Sequence, residues 1–349
     1  MIPLKEICVC GHFGYGLNMA DGQTIKTVNI TELLAHEYGN DALMTIDTHI
    51  TWKSIFMLPF WIFNGLRKSK NMIIMVDEHG IRVIPWLLLL YNLCFHRSLH
   101  YIVIGGWLPG SLKIHRYLAL ALKKFDGIYV ETVTMQRNMQ QLGFHNIYIL
   151  RNFKPIKRIE EGKLSRRYSE PYKLCLFSRV CKEKGIEDAL NAVNKINKKA
   201  GRTVYEVDVY GRIDPAQTEW FDALCKHAPP WFSYRGVAAS NESVEIISQY
   251  FLLLFPTHFY TEGIPGTIID AFFSGVPVVY ARWESASDIL NEQLGFGYDF
   301  SDDKGLQSCL EKIYSNPTLA MQKKLECWRE AEKYSPRNAI IPLLERLTA

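Results

Sequence analysis

The chain has 349 residues, of which 48% are hydrophobic and 22% are charged, and its formal net charge at pH 7 is +4. This composition excludes the disordered and fibrous classes, and the length suits two domains rather than a single core. The N-terminal residues lack a basic region followed by an apolar stretch and a cleavage site, so we expect a cytoplasmic protein. No run reaches the roughly 20 consecutive apolar residues of a membrane-spanning helix.

The first half alternates strand-like and helical segments, which is typical of a parallel sheet covered by helices. Residues 83–112 are weakly charged but are interrupted by Pro85 and Pro109, so we interpret them as a buried helix followed by a strand. The predicted strands are 6–10, 42–46, 72–76, 100–104, 127–130 and 146–150, and the predicted helices include 24–38, 85–95, 112–123 and 132–142.

An aromatic segment at residues 52–63 is followed closely by Arg67, Lys68 and Lys70. Aromatic residues beside basic ones are typical of a helix at a membrane interface. The alternative is a helix that faces the core, and this is favoured because a helix that is apolar on most sides is usually buried. Residues 1–160 hold 17 Lys and Arg against 11 Asp and Glu, which favours an anionic partner such as a membrane surface. The alternative is that this modest surplus only forms a solvated surface.

A polar, charged segment at residues 151–171 indicates a domain boundary. We therefore predict one domain over 1–155 and a second over 156–334. A helical stretch follows at 321–349 and is broken before Pro336, since proline disfavours helix at the residue before it. The predicted strands of the second domain are 173–177, 206–210, 232–234, 250–255 and 276–280.

The segment 255–283 predicts an anion site. A strand ends at Phe255, a glycine-containing loop follows, and a helix begins near Thr267. The unpaired N–H groups and the dipole of a helix N-terminus suit a phosphate. The residues expected to line this site are Gly263, Ile264, Pro265, Gly266 and Thr267.

Two carboxylates, Glu262 and Asp270, flank this predicted anion site. A carboxylate repels phosphate but accepts hydrogen bonds from sugar or ribose hydroxyls, so a ligand that carries both groups satisfies the whole segment. The alternative is that Asp270 only complements the helix dipole and Glu262 is a surface loop residue. The spacing alone favours neither interpretation.

This segment resembles the signature of glycosyltransferase family 4, in which two acidic residues are separated by seven others. Glu262 is the first, and Asp270 stands where the family usually has Glu. The flanking residues 263–265 and 274–278 also match. The resemblance implies an α/β GT-B fold, with two Rossmann-like α/β/α domains facing across a cleft. The first domain would bind the acceptor and the second the nucleotide-sugar, and a C-terminal helix at about 335–349 would cross back to the first domain.

Four further residues match the family in order and spacing: Arg179, Lys184, Gly211 and Arg235. The resemblance implies that Arg179 and Lys184 hold the donor diphosphate. An Arg fork and a Lys point charge are both suited to phosphate oxygens. The alternative is a solvent-facing pair in a charged turn. It is favoured in general, because Lys and Arg side chains mostly face water.

A glycine-rich loop follows the first strand and contains His12, Gly14 and Gly16. Its GxxGxG spacing differs from the GxGxxG dinucleotide fingerprint, so we do not predict a nicotinamide cofactor. The resemblance implies that Gly14 and Gly16 face the donor, whereas a tight turn alone would also need glycine. Many family members carry a histidine where this chain has 104–106, so either backbone groups or His12 would replace that histidine.

The resemblance implies a metal-independent retaining glycosyltransferase of polysaccharide or glycoconjugate biosynthesis, with no cofactor. Its partners would be a nucleotide-diphosphate sugar and a saccharide or lipid-linked acceptor, at the inner face of a membrane and without nucleic acid. In this scheme Glu262 binds the hydroxyls of the donor sugar, and Asp270 binds the ribose. The alternatives are a sugar-nucleotide epimerase or a phosphorylase on the same fold, and a non-catalytic partner subunit.

Overall fold

The computed structural model describes residues 4–14, 22–49, 52–164, 168–239 and 241–348, and the side chains from residue 56 onward in the second helix. Two compact units are present. The first unit comprises Met1–Pro155 together with Pro336–Ala349, and the second comprises Ile156–Ser335.

The first unit is a parallel sheet with a helix after nearly every strand. Its strands are β1 (Lys5–Gly11), β2 (Leu43–Asp47), β3 (Ser69–Met75), β4 (Ser98–Ile102), β5 (Gly127–Val130) and β6 (Ile147–Ile149). Its helices are α1 (Gly22–Tyr38), α2 (Trp52–Lys68), α3 (Ile84–Phe95), α4 (Leu108–Ile114), α5 (Arg116–Leu122), α6 (Val133–Gln141) and α13 (Pro336–Leu347).

The sheet order is β2-β1-β3-β4-β5-β6, with every pair parallel. Side chains of β1 alternate between the two faces, as the period of two requires. Cys8 and Cys10 pack with α2 to α6, whereas Ile7 and Val9 pack with α1 and α13. The C-terminal helix therefore completes the core of the first unit, where its buried residues are Ala339, Ile340, Leu343 and Leu347.

Two expectations for the first unit are corrected. The helix predicted over 112–123 is two helices, because the chain turns at His115, whose φ of −106° and ψ of 67° are not helical. The segment predicted as a buried helix is α3, which buries only one side: Leu88 is fully buried, but Leu90 and Leu93 are 61% and 72% exposed. Over the described residues, no helix is both long and apolar enough to cross a bilayer.

The second unit repeats this layered architecture. Its strands are β7 (Tyr172–Phe177), β8 (Tyr205–Tyr210), β9 (Phe232–Gly236), β10 (Leu252–Phe255), β11 (Val278–Arg282) and β12 (Gly295–Asp299). Its helices are α7 (Ile186–Ala200), α8 (Thr218–Lys226), α9 (Ser243–Ser248), α10 (Gly266–Phe273), α11 (Gly305–Ser315) and α12 (Thr318–Glu330).

The second sheet has the order β12-β11-β10-β7-β8-β9, again with parallel pairs. Helices α7, α8 and α11 cover one face, and α9 and α10 cover the other. The chain leaves β7 toward β8 and β9, and then returns to the other side of β7 to form β10. The strand β12 was not predicted, and it forms as the edge partner of β11.

Candidate functional site

The predicted donor residues gather where the strand order of the second sheet reverses. Strands β7 and β10 are neighbours, but their connections run in opposite directions. In an open parallel sheet the crevice beyond the carboxyl ends of such strands is the usual ligand site. The loop after β7 carries Arg179 and Lys184, and the loop after β10 carries Glu262.

Two glycines allow the loops at this edge to approach one another. Gly185 has φ 71°, and a Cβ on it would lie 2.0 Å from the Pro256 carbonyl oxygen. Gly211 has φ 141°, and its Cβ would lie 1.8 Å from the Ser178 carbonyl oxygen. Only glycine permits both the positive φ and the close backbone contact. The loops after β7, β8 and β10 are therefore held against one another.

Lys184 and Glu262 form a partly buried ion pair in which the Lys184 Nζ contacts the Glu262 Oε1. Thr257 Oγ1 donates a second hydrogen bond to the same carboxylate oxygen, at 3.2 Å. The ammonium lies 5.2 Å from the ring centre of Phe255 and 5.0 Å from that of Phe259. Rings and carboxylate together restrict the ammonium to one position. The structure thus joins two residues that the sequence placed 78 positions apart.

Arg179 lies in the same loop as Lys184 but has a different partner. Its Nη1 is 3.6 Å from the Asp214 Oδ2, and its side chain is 59% exposed. An exposed pair at this distance is weak, so the guanidinium is free to turn toward another anion at little cost. The structure leaves Arg179 at the solvent side of the strand ends.

The N-terminus of α10 has the features expected of an anion site. Pro265 is the N-cap and supplies no side-chain hydrogen bond, while Gly263 and Ile264 before it are buried. Among the described residues, the hydroxyl of Thr267 is buried in the first turn without a hydrogen-bond partner. Since Gly266 carries no side chain, the backbone and this hydroxyl are the polar groups that the helix offers there.

Asp270 is buried, and only 1% of the residue is exposed. It accepts a hydrogen bond from the Ser243 Oγ of α9 at 3.1 Å. The burial follows from its place in α10, between Ile269 and Ala271, which are fully buried. Its predicted ribose contact stays a prediction.

Arg235 belongs to a network that the sequence did not reveal. Its Nε donates to the Asp208 Oδ1 at 2.9 Å, and the Tyr250 OH donates to the Asp208 Oδ2 at 2.6 Å. Tyr210 OH lies 2.8 Å from the Tyr250 OH. Burial, followed by the bond to Asp208, raises the pKa of Tyr250 well above its usual range. A carboxylate inside the apolar strand β8 was the sequence signal for this network.

His12 of the first unit lies in a polar cluster at the ends of β1 and β2. Its Nδ1 is 2.8 Å from the Thr24 Oγ1, and its Nε2 is 2.9 Å from the His49 Nδ1. The Asp47 carboxylate accepts from the backbone N–H groups of Phe13 at 3.0 Å and His49 at 2.8 Å. His49 and Asp47 were not predicted, although polar residues directly after a parallel strand are a recognisable signal.

The glycine-rich loop is described only in part. Gly14 has φ 60°, a conformation that favours glycine, and Gly16 lies outside the described residues. At the position where many family members carry a histidine, Gly105 has φ 78° and the Trp107 Nε1 donates to the Ile104 carbonyl at 2.9 Å. The Ile104 carbonyl therefore already accepts a hydrogen bond within its own turn.

Comparison with known proteins agrees with this geometry. Residues 171–316 match the family model of glycosyl transferases group 1. The chain is a glycosyltransferase. The matched region covers the strands and loops that carry Arg179, Lys184 and Glu262. A search of curated protein sequences finds no match.

Solved structures resemble this glycosyltransferase over most or nearly all of its length. Alr3699/HepE of Anabaena, in complex with UDP and glucose, has a TM-score of 0.73 at 12% identity over 98% of this chain and 99% of that chain. Sucrose-phosphate synthase of Thermosynechococcus elongatus has a TM-score of 0.75 at 13% identity over 98% of both chains. The pneumococcal O-GlcNAc transferase GtfA has a TM-score of 0.64 at 17% identity over 83% of this chain and 59% of that chain.

These likenesses, all below 25% identity, concern the fold. The predicted fold class, an α/β protein of the GT-B type with two Rossmann-like domains, is confirmed. The prediction that the chain is a glycosyltransferase enzyme is confirmed as well.

Proposed function

We propose that this glycosyltransferase is a retaining enzyme of family 4 that takes its sugar from a nucleotide-diphosphate donor held by the second unit. The observation that carries the proposal is the Lys184–Glu262 pair at the switch point of the second sheet. A cation for the diphosphate and a carboxylate for sugar hydroxyls stand side by side there. A nucleotide-diphosphate sugar carries its phosphates and its sugar hydroxyls on neighbouring groups, so one donor could contact both residues.

The leaving diphosphate is stabilised by positive charge that the chain itself carries. Lys184 supplies a point charge, Arg179 a mobile guanidinium, and the N-terminus of α10 its N–H groups. Charge that is already in place where negative charge develops is commonly the largest contribution to catalysis. Because these cationic groups do the work of a divalent ion, we propose that the reaction needs no metal and no cofactor.

Glu262 orients the transferred sugar, and Asp270 is proposed for the ribose. The carboxylate of Glu262 is fixed by Lys184 and Thr257, so its orientation is set before the donor arrives. Asp270 is 1% exposed and accepts a hydrogen bond from Ser243, and a ribose hydroxyl would donate to the same carboxylate.

The acceptor is proposed to bind the first unit, near the cluster of His12, His49 and Asp47. Imidazoles linked by a hydrogen bond can accept and pass on the proton that an attacking hydroxyl loses. The acceptor class is a saccharide or a lipid-linked saccharide of glycoconjugate or polysaccharide synthesis. The basic first unit would keep the enzyme at an anionic membrane surface.

A nucleotide-sugar panel tests the proposal. UDP and UDP-glucose come first, because Alr3699/HepE is seen with UDP-glucose. A donor present at 100 times its dissociation constant should stabilise the protein by ~2.7 kcal/mol, seen as a rise in melting temperature. The same donor should be hydrolysed slowly, releasing nucleoside diphosphate and a sugar with its anomeric configuration retained, as measured by NMR.

Three results would contradict the proposal. Stabilisation by a nucleotide-sugar without any release of nucleoside diphosphate indicates a non-catalytic subunit. Release of an epimerised sugar indicates the epimerase alternative. A sugar of inverted configuration excludes the retaining mechanism while leaving the donor assignment intact.

A further inference from the structure

Helix α3 is apolar on both of its sides, although it lies on the surface of the first unit. Ile84 and Leu88 face the core, while Trp86, Leu90 and Leu93 are 41%, 61% and 72% exposed. These three recur at intervals of four and three residues, so they form one outward stripe. A surface helix ordinarily presents polar residues on that side, and an apolar outward stripe indicates a covered surface.

The exposed apolar surface continues onto both neighbouring helices. On α2, Phe56 is 76% and Phe60 59% exposed, and on α5, Leu120 is 66% exposed. Helix α3 packs against both α2 and α5. All three helices cover the same face of the sheet, because their side chains join one core cluster. We call this surface the three-helix face, defined by Phe56, Phe60, Trp86, Leu90, Leu93 and Leu120.

The charges around the three-helix face have one sign. Helices α2, α3, α4 and α5 contain no Asp or Glu, and residues 79–125 contain none either. Arg67 and Lys68 end α2, and Lys113 and Arg116 flank the turn between α4 and α5; all four are exposed. The carboxylate just before this region, Glu78, is already paired with Arg82 at 3.0 Å.

We propose that the three-helix face inserts into the interface of an anionic lipid bilayer. An apolar surface with a basic border and no carboxylates fits acidic headgroups above acyl chains. A second copy of the chain fits less well, because face-to-face pairing would oppose the basic borders of two copies. The inference deepens the proposed function, since it names the surface that brings the enzyme to a lipid-linked acceptor.

Flotation of the full chain with vesicles tests this. We expect binding to vesicles of phosphatidylglycerol and phosphatidylcholine, and weaker binding to phosphatidylcholine alone. The double variant Leu90→Gln/Leu93→Gln should lower the partition coefficient at least about tenfold, since two inserted leucines become polar. Ile341→Gln is the matched control: Ile341 is also exposed, at 46%, but lies on α13, which packs on the opposite face of the sheet.

Tryptophan fluorescence then tests insertion as distinct from surface attraction. Trp86 should shift to shorter wavelength on binding and be quenched by brominated lipids, and Trp86→Phe should abolish most of both signals. Circular dichroism and melting temperature check that each variant folds. Donor hydrolysis by Leu90→Gln/Leu93→Gln should equal that of the wild type, so a failure of the donor assignment and a failure of this inference are seen in separate assays.

Four results would overturn the inference. The first is absence of flotation with anionic vesicles. The second is an equal loss of binding in Ile341→Gln. The third is binding without a Trp86 signal, which indicates attachment by charge alone. The fourth is a dimer in sedimentation analysis that Leu90→Gln/Leu93→Gln dissociates, while its vesicle binding is unchanged; a second copy would then cover the face.

Discussion

The Lys184–Glu262 pair is a charged contact that is neither fully exposed nor fully buried. The two side chains are 15% and 17% exposed. Desolvating both charges costs free energy that their attraction repays only in part, and such pairs are weak sources of stability. Because the pair contributes little to stability, we interpret it as part of a binding site. In that site an incoming diphosphate and sugar would complete the hydrogen bonds of Lys184 and Glu262. The surrounding rings and Thr257 fix the geometry in advance.

Arg179 and Glu262 are expected to act on opposite ends of the donor. Arg179→Ala should weaken binding of the nucleoside diphosphate about tenfold to a hundredfold, since a charge-assisted hydrogen bond contributes roughly 1.5–3 kcal/mol. Glu262→Gln keeps the size of the side chain, and should leave that affinity nearly unchanged while lowering kcat strongly. Calorimetric titration gives the affinity, and release of nucleoside diphosphate gives the turnover.

Arg202→Ala is the matched control for Arg179→Ala. Arg202 is 61% exposed and pairs with Glu170 at 3.0 Å, so it resembles Arg179 in exposure and pairing. It precedes β8, however, and lies at the amino ends of the strands, whereas the site is at their carboxyl ends. Its loss should change neither affinity nor turnover. Equal loss of affinity in the Arg179 and Glu262 variants, or normal turnover in Glu262→Gln, would show that Glu262 does not hold the sugar.

Lys324 predicts a dependence of stability on pH. Burial lowers the pKa of its ammonium to about 8, and its Nζ donates to the Tyr168 OH at 2.7 Å. Above pH 8 the folded chain releases this proton while the unfolded chain keeps it up to its ordinary pKa, so the free energy of unfolding rises with pH in that window. Below pH 8 both states are protonated and this contribution is constant.

The variant Lys324→Met isolates the effect. The free energy of unfolding of the wild type, relative to this variant, should increase by about 2 kcal/mol from pH 7 to 9.5. Denaturant titrations at several pH values measure it. A difference that stays constant over this range would mean that the ammonium is hydrated and titrates as in the unfolded chain.

At the scale of elements, helix α7 begins and ends at glycines with nearly the same conformation. Gly185 has φ 71° and Gly201 has φ 66°, but a Cβ on Gly201 would meet no atom within 4 Å. Gly201→Ala should therefore cost about 1 kcal/mol, through backbone strain alone. Gly185→Ala should cost at least about 2 kcal/mol more, because it also forces the Pro256 carbonyl away.

The same pair of variants reports on the site. Separation of the loops after β7 and β10 moves Lys184 away from Glu262, so Gly185→Ala should weaken donor binding and Gly201→Ala should not. Urea titration and donor titration measure the two effects. Equal costs in stability for the two alanine variants would mean that the loops can separate without strain, and the glycine at 185 would then not be required by the site.

Packing decides the outer limits of several elements. The strand β12 contains Gly295 and Gly297, which weaken any strand pattern, yet it pairs with β11 from Val278↔Gly295 to Arg282↔Asp299. A Cβ at Gly295 would lie 2.3 Å from the Val278 carbonyl oxygen. Gly295 and Gly297 make β12 hard to predict from the sequence, but because they lack a Cβ they also allow β12 to approach β11.

At the scale of the whole molecule, the proposed chemistry relies on charges carried by the chain. EDTA should leave transfer or donor hydrolysis unchanged, because in the proposed mechanism Lys184, Arg179 and the α10 N-terminus take the place of a divalent ion at the diphosphate. The measurement is the release of nucleoside diphosphate with EDTA and with added Mg²⁺ or Mn²⁺. Loss of turnover in EDTA that Mg²⁺ or Mn²⁺ restores would contradict metal independence.

The sequence by itself determined the fold class and the enzyme class. The alternation of strand and helix patterns predicted two parallel α/β units, and the resemblance of the residues around Glu262 to a known family predicted a glycosyltransferase. These features are local: a buried parallel strand needs a run of apolar residues, and a loop before a helix N-terminus needs glycine and proline. Such features depend on residues that are consecutive in the sequence, so the sequence alone can predict them.

Only the tertiary structure decided which distant side chains meet and which sides of helices remain uncovered. Lys184 joins Glu262, Arg235 joins Asp208, and His12 joins His49 because parallel strands bring separate loops to one edge of a sheet. The outward side of α3 was predicted to be buried because its residues are apolar, but burial depends on what packs above a helix. That information lies in the arrangement of neighbouring elements, which no local pattern of residues contains.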